Sequence, residues 1–226
     1  MCSSDLYGDP AWIAKANEAT YPPVEWPPDP PAMAINDGFE RPAVGAKPSG
    51  AEVNVENKGD SIEVTDEFAA GGKRSLKITD SPGLRNAFNP HLVYSPNHSS
   101  SVTRCSFDLR IGPGASINHE WRDWRPSPYA VGPSLWIHGA NLQVAGRTLM
   151  TLPTDRWIHF EITADLGENN SRSWDLAVTL PGEKPREFKG LKAGSNAFER
   201  LTWLGFVSNA TDKTVFYLDN LEVTNQ

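Results

Sequence analysis

The residues best suited to chemistry fall in one run, Ile117-Asn118-His119-Glu120-Trp121-Arg122-Asp123-Trp124-Arg125-Pro126-Ser127-Pro128-Tyr129, followed closely by Gly132-Pro133-Ser134-Leu135-Trp136-Ile137-His138. Side chains alternate across an extended strand, so His119, Trp121 and Asp123 share one face and Glu120, Arg122 and Trp124 the other. Neither set reads as a plain core face. An indole can stack on the apolar C–H face of a sugar ring while carboxylate, guanidinium and imidazole groups bond its hydroxyls, the mix an amphipathic polyol needs. His119, Trp121, Arg122, Asp123, Trp124 and Tyr129 are therefore candidate saccharide contacts, and Trp157 with His159 and Glu161 forms a second set. The competing reading makes Glu120, Arg122, Asp123 and Arg125 structural ion pairs over buried tryptophans. Trp174 and Trp203 lie on regular strand patterns and are expected in the core.

Catalysis asks for more. Glycoside hydrolysis needs two carboxyl groups about 5–5.5 Å apart for retention or roughly 6.5–9.5 Å apart for inversion. Glu120 and Asp123, three residues apart, fall on opposite faces of a strand, leaving only a cross-strand pair such as Glu120 with Glu161. A lyase would instead need Arg or Asn against a uronate carboxylate and Tyr or His as base and acid. His119, Arg122 and Tyr129 could supply these, joined by His138 or His159. The chain has no Gly-x-Ser-x-Gly elbow, no His-Glu-x-x-His, no phosphate loop and no dinucleotide fingerprint.

The elements that must position these groups are strands. Thr103, Cys105, Phe107, Leu109 and Ile111 alternate with polar residues, as do Ile158, Phe160 and Ile162, and Trp174, Leu176, Val178 and Leu180. Similar short runs, separated by Gly, Pro, Asn and Asp, recur from Glu52 to Val223 with no helical pattern between them. Without crossover helices a parallel sheet cannot form, so the expected fold is all-β, a two-sheet antiparallel β-sandwich of the jelly-roll or concanavalin-like kind. With 226 residues, 18 Gly, 19 Pro, 38% hydrophobic and 22% charged, the chain fits one such domain, taken as 32–226, plus a proline-rich segment, 1–31.

Composition also excludes partners. The net charge of −7 and scattered Lys and Arg argue against nucleic acid, and disfavour a polyanionic glycan at long range, although local arginines can override that. No apolar run has the roughly 20 residues of a membrane span. Two cysteines about one hundred residues apart do not make a disulfide framework, and Cys105 is expected as a small buried hydrophobe. A monomer is expected.

The start carries no basic segment followed by an apolar stretch, hence no secretory signal. Cys2-Ser3-Ser4-Asp5-Leu6 resembles a translated sequencing adapter, which would place the true start upstream; the alternative is an ordinary polar terminus. A short helix is expected between Asp9 and Asn17. Pro22 to Pro31 then favours polyproline II and reads as a semi-rigid spacer, with Trp12 and Trp26 lying against the domain.

Three stretches, Asn36-Asp37-Gly38-Phe39-Glu40, Gly72 to Thr79 and Phe216 to Val223, together resemble landmarks of the jelly-roll carbohydrate-binding modules appended to glycoside hydrolases. The resemblance runs in order from Ile35 to Val223, while the region from Arg104 to Pro181 also resembles the concanavalin-like sandwich. It implies that the first and last strands of the body meet and that a structural calcium ion sits there. Glu40 and Asp219 would be its ligands, helped by Asp37 and by carbonyls near Ser75. It further implies a secreted or extracytoplasmic, non-catalytic module that binds a polysaccharide or oligosaccharide and is tethered to the catalytic domain of the same parent protein. A lyase or hydrolase on the same sandwich, and a purely structural calcium-stabilised module, are the alternatives.

Overall fold

The computed structural model describes residues 29–226. The expected helix near Asp9, Trp12, Trp26 and most of the proline spacer lie outside the described residues. Pro31–Gln226 forms one compact unit. Its strands are β1 (Ile35–Asp37), β2 (Glu52–Asn54), β3 (Ser61–Thr65), β4 (Ser75–Thr79), β5 (His91–Tyr94), β6 (Ser101–Ile111), β7 (Ser116–Asp123), β8 (Ala130–His138), β9 (Asn141–Val144), β10 (Arg147–Thr151), β11 (Trp157–Leu166), β12 (Ser173–Thr179), β13 (Arg186–Lys192), β14 (Trp203–Ser208) and β15 (Val215–Asn225).

These strands make two antiparallel sheets, so the expected all-β sandwich is the observed fold. One sheet runs β13-β12-β11-β6-β15-β4-β3, with β1 also pairing β15, and the other runs β10-β9-β8-β7-β14-β5-β2. The alternation read in β6 and β11 sets which residues face the second sheet. Phe107 is the register partner of Phe160, and their rings stack 5.3 Å apart. Phe206, from the opposite sheet, meets Phe107 edge-on at 5.0 Å. Cys105, Trp174, Leu218 and Val223 complete the same buried layer, and desolvation pushes the Cys105 thiol far above its ordinary range.

Ile35 pairs with Val223 and Asp37 with Leu221, so the first and last strands meet. Two strands, β1 and β9, have no clear sequence signal. β1 is only three residues long and owes its conformation to β15. β9 and β10 close a hairpin through Ala145 and Gly146, both at positive φ; alanine at the first position of such a turn hides the signal that Asn or Asp would give. Among the described residues no helix is long and apolar enough to cross a membrane.

Candidate functional site

β7 lies inside the seven-stranded sheet, between β8 and β14, and both its faces are substantially covered. On the inner face Trp121 and His119 are 0% exposed. The Trp121 indole N–H donates to His119 Nε2 at 3.1 Å, and the opposite ring nitrogen, Nδ1, donates to Gly205 O at 3.0 Å. That pair of bonds fixes one neutral tautomer. The imidazole sits 4.8 Å from Phe107 and 4.3 Å from Phe206, and burial drives its pKa down to about 3. Asp123, also fully buried, is held by Arg125 through Nε at 3.0 Å and Nη2 at 2.6 Å. The expectation that His119, Trp121 and Asp123 contact a saccharide is therefore corrected: polar satisfaction lets all three be core residues.

The outer face is the open one. Cross-strand register aligns Asn54, His91, Val207, Asn118, Trp136 and Gln143 in one row, and Val93, Gly205, Glu120 and Ser134 in the next. Residues of this face, with Phe88, Trp124, Tyr129 and Trp203, line a hollow of about 490 Å³. Trp124 is 51% exposed, Trp136 40% and Tyr129 36%. The Trp203 ring lies across Gly205, where a Cβ would collide with the indole. A tryptophan followed two residues later by glycine on the same strand face was the signal for this placement, and it overrides the expectation that Trp203 is core.

Arg122 organises the centre of the hollow. Its Nε donates to Glu120 Oε1 at 2.6 Å, and Ser134 Oγ donates to Glu120 Oε2 at 2.9 Å. The guanidinium lies 4.0 Å from the Trp203 ring centroid, 4.6 Å from Tyr129 and 5.9 Å from Trp124, distances at which a cation is attracted to an aromatic face. Trp124 and Tyr129 pack at 4.6 Å. His91 donates through Nδ1 to Phe88 O at 3.1 Å and Asn89 Oδ1 at 2.9 Å, and its pKa is lowered chiefly by burial, with Arg122 adding to the effect. Sequence reasoning missed Phe88, which lies in the turn before β5, and His91, which opens that four-residue strand without an alternating pattern.

The second expected set is elsewhere. Trp157 and His159 are on β11 in the eight-stranded sheet, so they do not join Arg122 and Trp124 on one surface. His159 Nδ1 meets Asp108 Oδ1 at 2.9 Å, and this bond raises its pKa. Glu161 pairs with Arg104 at 3.8 Å, and a catalytic pair with Glu120 is excluded because the two carboxylates belong to different sheets. His138 contacts Ser116 Oγ at 3.2 Å.

The residues expected around calcium divide likewise. The loop leading into β4 reaches both Glu40 and Asp219. Glu40 Oε1 accepts from Lys73 N at 2.7 Å and Arg74 N at 2.8 Å, and Asp219 Oδ2 accepts from Ala70 N at 2.7 Å and Gly71 N at 3.1 Å. Asp219 is fully buried, no cationic side chain pairs with it among the described residues, and burial with Asp108 nearby pushes its carboxyl up. Asn220 N also donates to Asp219 Oδ1 at 2.8 Å, so backbone amides hold both carboxylate oxygens, and a hard cation would have to use their remaining lone pairs. Nearby, the Ser75 hydroxyl donates to Phe68 O at 2.6 Å, and Asp37 accepts from Phe39 N and the Tyr94 hydroxyl. Among the described residues no group of three or more His, Cys, Asp and Glu side chains is gathered for a metal, so other ligands would have to be carbonyls or water.

A two-sheet sandwich with a lined hollow on one open sheet face defines the structural class. No protein-family model matches the sequence, and no curated protein matches it. Solved structures share the fold. An endo-β-1,4-glucuronan lyase from the fungus Trichoderma reesei superposes with TM-score 0.56 at 12% identity, over 81% of this chain and 94% of that one. The cellulose-induced protein Cip1 gives TM-score 0.58 at 15% identity, over 85% and 97%. An alginate lyase from Aplysia kurodai gives 0.53 at 12%, over 74% and 87%. At these identities the likeness is one of fold.

Proposed function

We propose that the open face of the seven-stranded sheet binds a polysaccharide or oligosaccharide chain, and that the protein serves as a carbohydrate-binding module without catalysis of its own. The observation that carries this reading is the ring of exposed aromatics, Trp124, Tyr129 and Trp136, around a hollow with oriented polar groups at its centre. Through the Pro22 to Pro31 spacer such a module would tether a catalytic domain of the same parent protein to its substrate outside the cytoplasm, where weak affinity per module suffices. Calcium would be held between Glu40 and Asp219, offsetting buried negative charge and clamping the ends of the sandwich.

Affinity electrophoresis against a panel of soluble polysaccharides tests the reading. Trp136→Ala and Trp124→Ala are expected to weaken binding by about tenfold or more each with an unchanged melting temperature. Trp121→Ala should instead destabilise the fold by about 3–5 kcal/mol, as for other buried aromatics. Undiminished binding by the Trp124→Ala/Trp136→Ala double variant would refute the assignment.

One observation favours a second reading, a polysaccharide lyase. Arg122, His91 and Tyr129 line the same hollow, and the two hydrogen bonds at His91 Nδ1 leave Nε2 as a free base. Two of the proteins with a similar fold are lyases by name, which supports this alternative. Unsaturated chain ends absorbing in the near ultraviolet, formed by the protein and lost in His91→Gln, would replace the first reading with this one.

A further inference from the structure

Arg122 is the one permanent cation among the described residues lining the hollow, and it is held unusually firmly. The Trp203 and Tyr129 rings lie 4.0 and 4.6 Å from it. Nε is tied to Glu120, which is itself anchored by Ser134. The side chain is only 18% exposed. Yet among the described residues Nη1 and Nη2 have no hydrogen-bond partner, and neither is buried without one, so both still reach solvent. A guanidinium with its planar faces and Nε engaged keeps one edge for a ligand, and that edge is a two-pronged donor of fixed geometry. It matches a carboxylate, which accepts two parallel N–H bonds.

We propose that Arg122 is a carboxylate receptor and that the glycan bound on this face is acidic, carrying uronate residues. The inference rests on the reading of the face as a glycan site and adds the chemical class of the glycan. Nearby residues leave room for such a group: His91 is neutral near pH 7 because burial lowers its pKa, and both Glu120 oxygens are already bonded, one to Arg122 and one to Ser134. A neutral sugar would offer the fork only hydroxyls, whose bonds lack the charge assistance that roughly doubles hydrogen-bond strength. The overall charge of −7 opposes an anionic ligand at long range, but screening confines that effect to about 8 Å at physiological salt, while the Arg122 contact is direct.

The test uses the intact chain and a matched pair of ligands: a hexamer of β-linked glucuronate and the cello-hexamer of the same linkage, which differ only in bearing a carboxylate or a hydroxymethyl group on each ring. A β-linked mannuronate hexamer and its mannan counterpart form a second pair. Calorimetry is expected to show at least one uronate hexamer bound about tenfold or more tighter than its neutral partner, with the preference lost in Arg122→Gln and reduced in Arg122→Lys, which keeps the charge but not the fork. Because the ligand pairs interrogate the unaltered protein, the result stands even if the Arg122 variants fold poorly. Equal or tighter binding of the neutral hexamers would overturn the acidic-glycan inference while leaving the face a glycan site. No binding of these ligands or of the polysaccharide panel would remove the underlying reading, and this inference with it.

Discussion

His119 shows how a polar side chain becomes core. Protonating it would place a second N–H at Nε2, directly against the Trp121 indole N–H that now donates there. Its folded-state pKa of about 3 lies below the ordinary 6.5, so the unfolded chain binds the extra proton first. The stability this group contributes is therefore fully present above pH 6.5 and is lost as pH falls toward 3. Imidazole NMR signals of His119 are expected to keep the neutral, Nδ1-protonated form from pH 7.5 to about 4.5, whereas His159, raised by Asp108, titrates above its ordinary value; a His119 transition near 6.5 would show the buried tautomer to be wrong. The alternation of His119, Trp121 and Asp123 against Glu120, Arg122 and Trp124 was legible in the sequence. Which set points inward was not. That choice depends on partners distant in sequence, Gly205 for His119 and the Trp203 ring for Arg122, and no local pattern reports them.

At the scale of elements, long strands were legible because one face of each is apolar: β6, β11 and β12 alternate as their residues predict. Short strands set by a neighbour, β1 and β9, were not. β15 ties these observations to the expected cation. It pairs with β4 through Leu218 and with β1 from Leu221, and its register against β6 shifts between Asp219 and Glu222. Asp219 is the last residue in register, opposite Asp108, before that shift, and its carboxylate accepts from the Ala70 and Gly71 amides. If calcium joins Asp219 and Glu40 there, an ion at about one hundred times its Kd should raise the melting temperature by roughly 5–10 °C, and a chelator should reverse it. Asp219→Asn should abolish the response. A melting curve indifferent to both calcium and chelator would mean that the backbone amides alone hold these carboxylates.

For the molecule as a whole, the two outer faces differ in kind. The eight-stranded sheet carries ion pairs such as Lys77–Glu67, Arg104–Glu161 and His159–Asp108, each worth little where exposed, while the seven-stranded sheet carries the aromatic hollow. All-β architecture follows from strand-period patterning and the lack of a helical pattern between Glu52 and Val223. The division of labour between faces does not, since it needs the strand order that brings β5, β14, β7 and β8 side by side. The register of Ile35 with Val223 has a consequence for engineering. Paired strands lie about 4.8 Å apart, so the polypeptide enters and leaves the sandwich at neighbouring points, and the fold can be treated as a cassette. A circular permutant that splices residue 225 to residue 35 through a short Gly-Ser bridge and opens the exposed hairpin at Gly182 keeps every strand pairing. Scanning calorimetry should find it melting within a few degrees of the parent, with its ligand preference intact.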